Sequence, residues 1–237
     1  MQISKAGIGD LAGIRSIWEE QFTTDGKYLE ILFGKIMPQC TSYVCKENGA
    51  IVSALSLMPM VFINDITGTK LNGWYMFGVA TLKKFWGKKI AAQAIEYACT
   101  CMEKDSYSFI FERPATQSLN NYYSKLGFSK ALEYIPHSFK IPATNSSTGN
   151  ISAEKSAGTD TCSISKTILK DIRNVHRKRF EWGNIALLES LIELGELDFH
   201  NATYCITPPE GTFISIRTLN STPEEIFNGT FFCFPME

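Results

Sequence analysis

Residues 74–128 constrain what this chain can fold into more than any other stretch. WYMFGVATLKKFWGKKIAAQAIEYACTCMEKDSYSFIFERPATQSLNNYYSKLGF reads as strand, loop, helix, strand, helix and tight turn. Residues 75–80 (YMFGVA) are a short apolar run without charge, the pattern of a strand buried on both faces. A basic, glycine-containing loop follows, from Lys83 to Lys89. From Ile90 the apolar spacing changes: Ile90, Ala91, Ala94, Ile95, Ala98 and Met102 fall at helical intervals, which predicts a helix starting where the loop ends. A strand feeding a helix through a short loop aims backbone N–H groups and the positive helix end at one point. That point suits an anion such as a pyrophosphate. Residues 106–111 (SYSFIF) predict a second strand, and 117–126 a second helix closed by Gly127.

These residues resemble the GNAT family of acyl-CoA-dependent N-acetyltransferases. GVATL, residues 78–82, is similar to the ending of that family's central strand. The family's next loop reads Arg/Gln-x-x-Gly-x-Gly/Ala. The frame here is Trp86-Gly87-Lys88-Lys89-Ile90-Ala91, in which Ala91 fits, Trp86 replaces the Arg or Gln, and Lys89 replaces the inner Gly. YSKLGF, residues 123–128, is close to the family helix that ends in Tyr-x-x-x-Gly-Phe. The resemblance implies an α/β (α+β) fold with a mixed, mostly antiparallel central sheet flanked by helices. It also implies that the two central strands splay apart after the GVA segment, with the acyl chain in the gap.

The implied activity is N-acetyl transfer from acetyl-CoA, as co-substrate, to a primary amine of a small molecule or peptide. Such a reaction must hold the donor, polarise the thioester carbonyl, deprotonate the ammonium and protonate the departing thiolate. By resemblance, the backbone of Gly87, Lys88, Lys89, Ile90 and Ala91 holds the phosphates, helped by the charge of Lys83, Lys84, Lys88 and Lys89, while Trp86 packs on the sheet or covers the pantetheine arm. The family Gly at position 89 lets phosphate approach the backbone, and a lysine side chain obstructs it unless it points outward. A backbone N–H near Val79, Ala80 or Thr81 polarises the carbonyl, and Thr81 begins the phosphate loop. Tyr123 occupies the position of the family's proton donor; its other reading is a packing aromatic beside Tyr122. A thiol has a pKa of about 8.5 and a phenol about 10, so that transfer is modestly uphill. Glu112, at the end of the second strand, is the first candidate base on the acceptor side, or else the partner of Arg113 or a lysine. Glu30, His137, Glu237 and a water chain are the other candidates. The altered loop motivates an alternative function, a catalytically impaired acyl-CoA-binding or regulatory protein on the same fold.

The rest of the chain frames this stretch. Residues 2–6 predict a strand, and Asp10 a helix cap for residues 11–22. A helix from Asp25 or Gly26 ends before Pro38. Asn48-Gly49 between apolar runs predicts a hairpin, with a bulge or bend at Pro59 in its second strand. Residues 130–134 and 137–141 read as a closing hairpin. Residues 1–142 are thus expected as the catalytic domain. Residues 143–165, rich in Ser, Thr, Gly and Asn, read as a flexible linker. Residues 166–237 read as a smaller mixed α/β unit, possessing helices over 167–180 and 182–194 and strands over 203–207, 212–218 and 230–234. With 237 residues, a net charge of −1 and no run of 18 apolar residues, neither nucleic acid nor membrane is an expected partner. Seven cysteines without a framework point to reduced thiols and a cytoplasmic protein, and three scattered histidines to no metal site. Oligomeric state leaves no mark in the sequence.

Overall fold

The computed structural model describes residues 1–22, 24–133, 137–140, 170, 173, 177–183, 186–187, 189–190, 198–200, 203–206, 213–220 and 231–232. In chain order the elements are β1 (Gln2–Lys5), α1 (Leu11–Gln21), α2 (Gly26–Ile31), β2 (Thr41–Glu47), β3 (Ala50–Asn64), β4 (Thr69–Thr81), α3 (Ile90–Lys104), β5 (Phe109–Glu112), α4 (Gln117–Ser124) and β6 (Ser129–Glu133). There follow β7 (His137–Lys140), β8 (Lys178–Trp182), β9 (Asp198–His200), β10 (Thr203–Ile206), β11 (Phe213–Thr218) and β12 (Phe231–Phe232). The main sheet runs β1-β2-β3-β4-β5-β11-β6, with β8 on β3 and β12 on β8. All its pairs are antiparallel except β4–β5 and β8–β12.

Alternation along the strands gives the sheet two apolar faces. One carries Tyr75, Phe77, Phe109 and Phe111 and packs on Ile14, Ile17 and Trp18 of α1 and Leu29 of α2. The other carries Trp74, Met76 and Ile110 and packs on Ile90, Ala94, Ile95, Ala98 and Met102 of α3 and Tyr123 of α4. The helical spacing from Ile90 is therefore the buried stripe of α3. No helix of the described residues is long and apolar enough to cross a membrane.

Several local expectations change. Asp10 does not cap α1: it accepts from the Gly7 N–H and pairs with Lys46. Asp25 does cap α2, accepting from the Tyr28 N–H at 3.0 Å. β3 continues through Pro59 without a bulge there. Pro59 lies between the last β2 pair, at Leu57, and the first β8 pair, at Met60. Its carbonyl accepts from Gly183 on that same edge, so no ladder N–H is missed.

The larger differences concern the C-terminal stretch. β6 and β7 do not form a hairpin: β6 pairs with β11 in the main sheet, and β7 with β10 in a separate three-stranded sheet. The expected helices over 167–180 and 182–194 meet at a strand instead, β8, although residues 170, 173, 186–187 and 189–190 are helical. β8 and β11 are strands of the same sheet as β1–β6, so sheet pairing crosses the boundary expected near residue 142. The expected linker 143–165 and Glu237 lie outside the described residues.

Candidate active site

β4 pairs with β3 along its whole length but with β5 only from Gly73–Phe109 to Met76–Glu112. Past Met76 the β5-facing edge of β4 has no strand partner among the described residues. The cause is local. Ser56 faces Phe77 while Ala54 faces Ala80, so β4 carries one extra residue there, a β-bulge at Gly78 and Val79. Gly78 has φ +60, and a Cβ on it would lie 2.5 Å from Cζ2 of Trp18. Only glycine fits, and the bulge turns β4 away from β5. The separation therefore begins before the GVA segment, whereas the sequence reading put it after.

Beyond the bulge, Ser53 fixes the end of β4. Its Oγ donates to the Ala80 carbonyl at 2.8 Å and lies 2.8 Å from Thr81 Oγ1. The Thr81 carbonyl accepts the indole N–H of Trp86 at 2.7 Å. Trp86 is otherwise open to solvent, 61% exposed. The Nζ groups of Lys84 and Lys88 stand 5.2 and 4.8 Å from the ring centre of buried Phe85. Gly87 has φ +78, and Lys89 enters α3 at φ 58, the left-handed region. That conformation explains why a glycine would suit position 89. Its side chain is exposed and does not cap the helix. Among the described residues no acceptor meets the N–H groups of Gly87, Lys88 or Lys89, and the first turn of α3 adds its own unpaired amides.

Tyr123 and Glu112 lie on the α3–α4 face. α4 is capped by Thr116, whose Oγ1 accepts from the Leu119 N–H, and the chain leaves it through Gly127 at φ +79. The Tyr123 ring sits between Tyr122 and Phe128, with centroids at 5.2 and 5.8 Å. Burial first, and then Glu112, Tyr122 and Tyr75, raise its phenol above the ordinary value of 10.0. Glu112 closes β5 and is 2% exposed; among the described residues neither carboxyl oxygen has a partner within hydrogen-bond range, and the nearby Ser215 hydroxyl donates to Asn120 instead. Burial pushes its pKa up to about 8, offset in part by the hydroxyl of Ser215, the residue opposite on β11. Among the described residues no three His, Cys, Asp or Glu side chains gather as metal ligands.

The model of the acetyltransferase (GNAT) family matches residues 11–128. Residues 11–128 of this chain belong to the GNAT acetyltransferase family. Among solved structures, a GCN5-related N-acetyltransferase from Kribbella flavida is similar over 92% of this chain and 71% of its own, with TM-score 0.57 and 9% identity. A conserved protein of unknown function from Enterococcus faecalis V583 matches 59% of this chain at TM-score 0.51 and 14% identity. This chain covers only 35% of that protein's length. A GNAT family N-acetyltransferase from Escherichia coli in complex with CoA matches 56% of this chain and 73% of its own, at TM-score 0.47 and 17% identity. At these identities the likeness is one of fold. No curated protein is significantly similar to the sequence.

Within this GNAT domain, Val79, Ala80, Thr81, Trp86, Gly87, Lys88, Lys89, Ile90 and Ala91 follow one another along the open edge of β4, the loop and the start of α3. Glu112 stands at the last β4–β5 pair, and it acts electrostatically on Tyr123 of α4. The alternative partners for Glu112, Arg113 and the lysines, do not pair with it. Glu30 is exposed on α2, and the side chain of His137 is not described. Sequence reasoning missed Gly78, Ser53, Trp18 and Ser215. Glycine inside an apolar strand was the one available signal, since it marks a bulge or a close approach.

Proposed function

We propose that this protein is an acyl-CoA-dependent N-acyltransferase, with acetyl-CoA as donor and a primary amine as acceptor. One observation carries the reading. The open edge of β4 beyond Met76 leads into a basic loop in which the N–H groups of Gly87, Lys88 and Lys89 meet no acceptor among the described residues. An extended thioester arm laid along that edge would find backbone donors there, and its pyrophosphate would meet the amides of residues 87–91. The exposed lysines 83, 84, 88 and 89 favour a polyanionic donor by steering. The outward side chain of Lys89 leaves the loop usable, which favours a working enzyme over an impaired acyl-CoA-binding protein.

In the proposed reaction the amine attacks the thioester carbonyl directly. A β4 N–H near Val79 to Thr81 takes the developing oxyanion charge, and Tyr123 protonates the sulfur. Glu112 stands at the acceptor side of the same gap. The described cysteines 40, 45, 99 and 101 are free thiols, in keeping with a reducing compartment such as the cytoplasm.

Calorimetry with acetyl-CoA, followed by turnover on a panel of primary amines, tests the reading. Micromolar binding that weakens as salt rises, together with turnover of at least one amine, is expected. Binding without turnover would favour the impaired protein, and absence of binding would remove both. Tyr123→Phe should bind acetyl-CoA as the parent does while turnover falls by about 10²-fold, the usual range for a positioned proton donor. Full activity in that variant would take Tyr123 out of the chemistry.

A further inference from the structure

We propose that the acceptor is an aromatic monoamine, whose ring docks on an aromatic wall built by the end of α1 and by α2. This rests on the acyltransferase reading and names the class of amine that the reading leaves open.

The wall begins at the bulge of β4. The indole of Trp18 lies against Gly78, so close that a Cβ there would sit 2.5 Å from Cζ2. Two residues further along α1, Glu20 accepts from the Lys83 N–H at 3.2 Å. The end of α1 therefore stands against β4 from Gly78 to Lys83. That is the stretch whose other edge has no strand partner among the described residues. Phe22 closes the last turn of α1, its N–H donating to the Trp18 carbonyl at 2.9 Å. Around the Trp18 ring stand Phe22, Tyr28, Phe33 and Phe77, with centroids at 4.5, 6.4, 6.4 and 6.3 Å. Trp18 and Phe77 are buried, Tyr28 and Phe33 half-buried, and Phe22 is 49% exposed. The rings thus run without a break from the bulge to solvent.

The donor comes to the gap from the other face. Its phosphate site is the start of α3, which packs on the sheet face of Trp74, Met76 and Ile110. Trp18 and Phe77 belong to the opposite face. With the coenzyme arm on the α3 side, an amine that reaches the thioester keeps its substituent on the α1 side, against these rings.

The chemistry of the wall selects among amines. A polyamine or an aminosugar needs carboxylates and hydrogen-bonding groups for its further ammonium and hydroxyl groups. The carboxylates at this end are engaged. Glu19 pairs with Arg15 at 3.0 Å, Glu20 accepts from Lys83 and from the Gln21 side chain, and Asp25 caps α2. Arg15 also stands 6.0 Å from the Phe33 ring centre, where it repels a second ammonium. An aromatic substituent instead gains apolar burial and edge-to-face or offset ring contacts.

The test uses the full chain. Acetyl-CoA binding is measured first by calorimetry, and then kcat and KM for 2-phenylethylamine, ethanolamine and 1,4-diaminobutane. 2-Phenylethylamine should lead both others in kcat/KM by about tenfold or more, the range for burying one ring. In Phe22→Ala that lead should shrink by about tenfold, through a higher KM for 2-phenylethylamine at nearly constant kcat, because the ring contact is the same in ground and transition states. Phe22→Leu, which keeps an apolar surface, should retain most of the lead. Phe22→Glu should move the preference toward 1,4-diaminobutane. Half-exposed Phe22 can be replaced without emptying the core, so the variants remain readable. A parent that turns over ethanolamine or the diamine as well as 2-phenylethylamine overturns the proposal. So does a lead that survives Phe22→Ala, or one lost through kcat alone. Any of these results with turnover sinks the acceptor class only, whereas no acetyl-CoA binding, or binding without turnover of any amine, sinks the acyltransferase reading as well.

Discussion

Two residues depart from what their surroundings prefer, and each departure can be measured. Lys89 holds a left-handed conformation that costs a non-glycine residue about 1–2 kcal/mol. Lys89→Gly removes that strain but loosens the unfolded chain by about 0.5–1 kcal/mol, so a net stabilisation of about 0.5 kcal/mol is expected in urea titration. Acetyl-CoA affinity should stay within about threefold, since one charge of four is lost from an exposed, screened cluster. A much larger loss would make the Lys89 ammonium a direct phosphate ligand. Glu112 departs in the opposite sense, with its folded pKa raised from 4.5 to about 8 by burial. The native state then holds a proton that the unfolded state releases above its lower pKa. The associated stability is full below about pH 4.5 and lost as pH rises through about 8, a swing of up to roughly 5 kcal/mol. Glu112→Gln should flatten urea stability across that window, and an unchanged slope would mean that Glu112 is not the group responsible.

At the scale of elements, legibility followed locality. The Asn48-Gly49 turn, with φ of 50 and 80, and the start of α3 at Ile90 could be read because each is set by neighbours in the chain. The opening between β4 and β5 could not, because it depends on one glycine packing against a tryptophan sixty residues away. Gly78→Ala tests that packing. Its Cβ meets a rigid indole at 2.5 Å and its φ is unfavourable, so a loss of about 2–4 kcal/mol is expected by thermal or urea melting. A loss under about 1 kcal/mol would mean that the bulge is not held by Trp18. β8 was hidden for a different reason. Arg179 and Glu181 are both buried and bonded to each other, with Arg179 also on Asp65 and Glu181 on Arg173. The polar–apolar alternation Arg179-Phe180-Glu181-Trp182 runs for only four residues, too short to compete with the helical pattern upstream. The helical spacing of Ile168, Leu169, Ile172 and Val175 just upstream then carried the reading past its proper end.

For the whole molecule, the decisive fact is where the neighbour of β5 comes from. β11 lies between β5 and β6, although about eighty residues separate β6 from it in the chain. A chain ending at residue 142 would lack the strand opposite Glu112 and leave β5 and β6 as unpaired edges. Such a fragment should be aggregation-prone and should not bind acetyl-CoA in calorimetry. A soluble fragment with full affinity would make β11 dispensable and restore residues 1–142 as an independent domain. The same order governs how the protein is born. Synthesis proceeds at about 5–20 residues per second, so roughly 4–17 seconds pass between completion of β6 and completion of β11. Throughout that interval the nascent chain carries the loop of residues 83–89 and Tyr123 but has an unfinished sheet beside Glu112. A message that is cut anywhere in those eighty codons yields a product without the strand opposite Glu112.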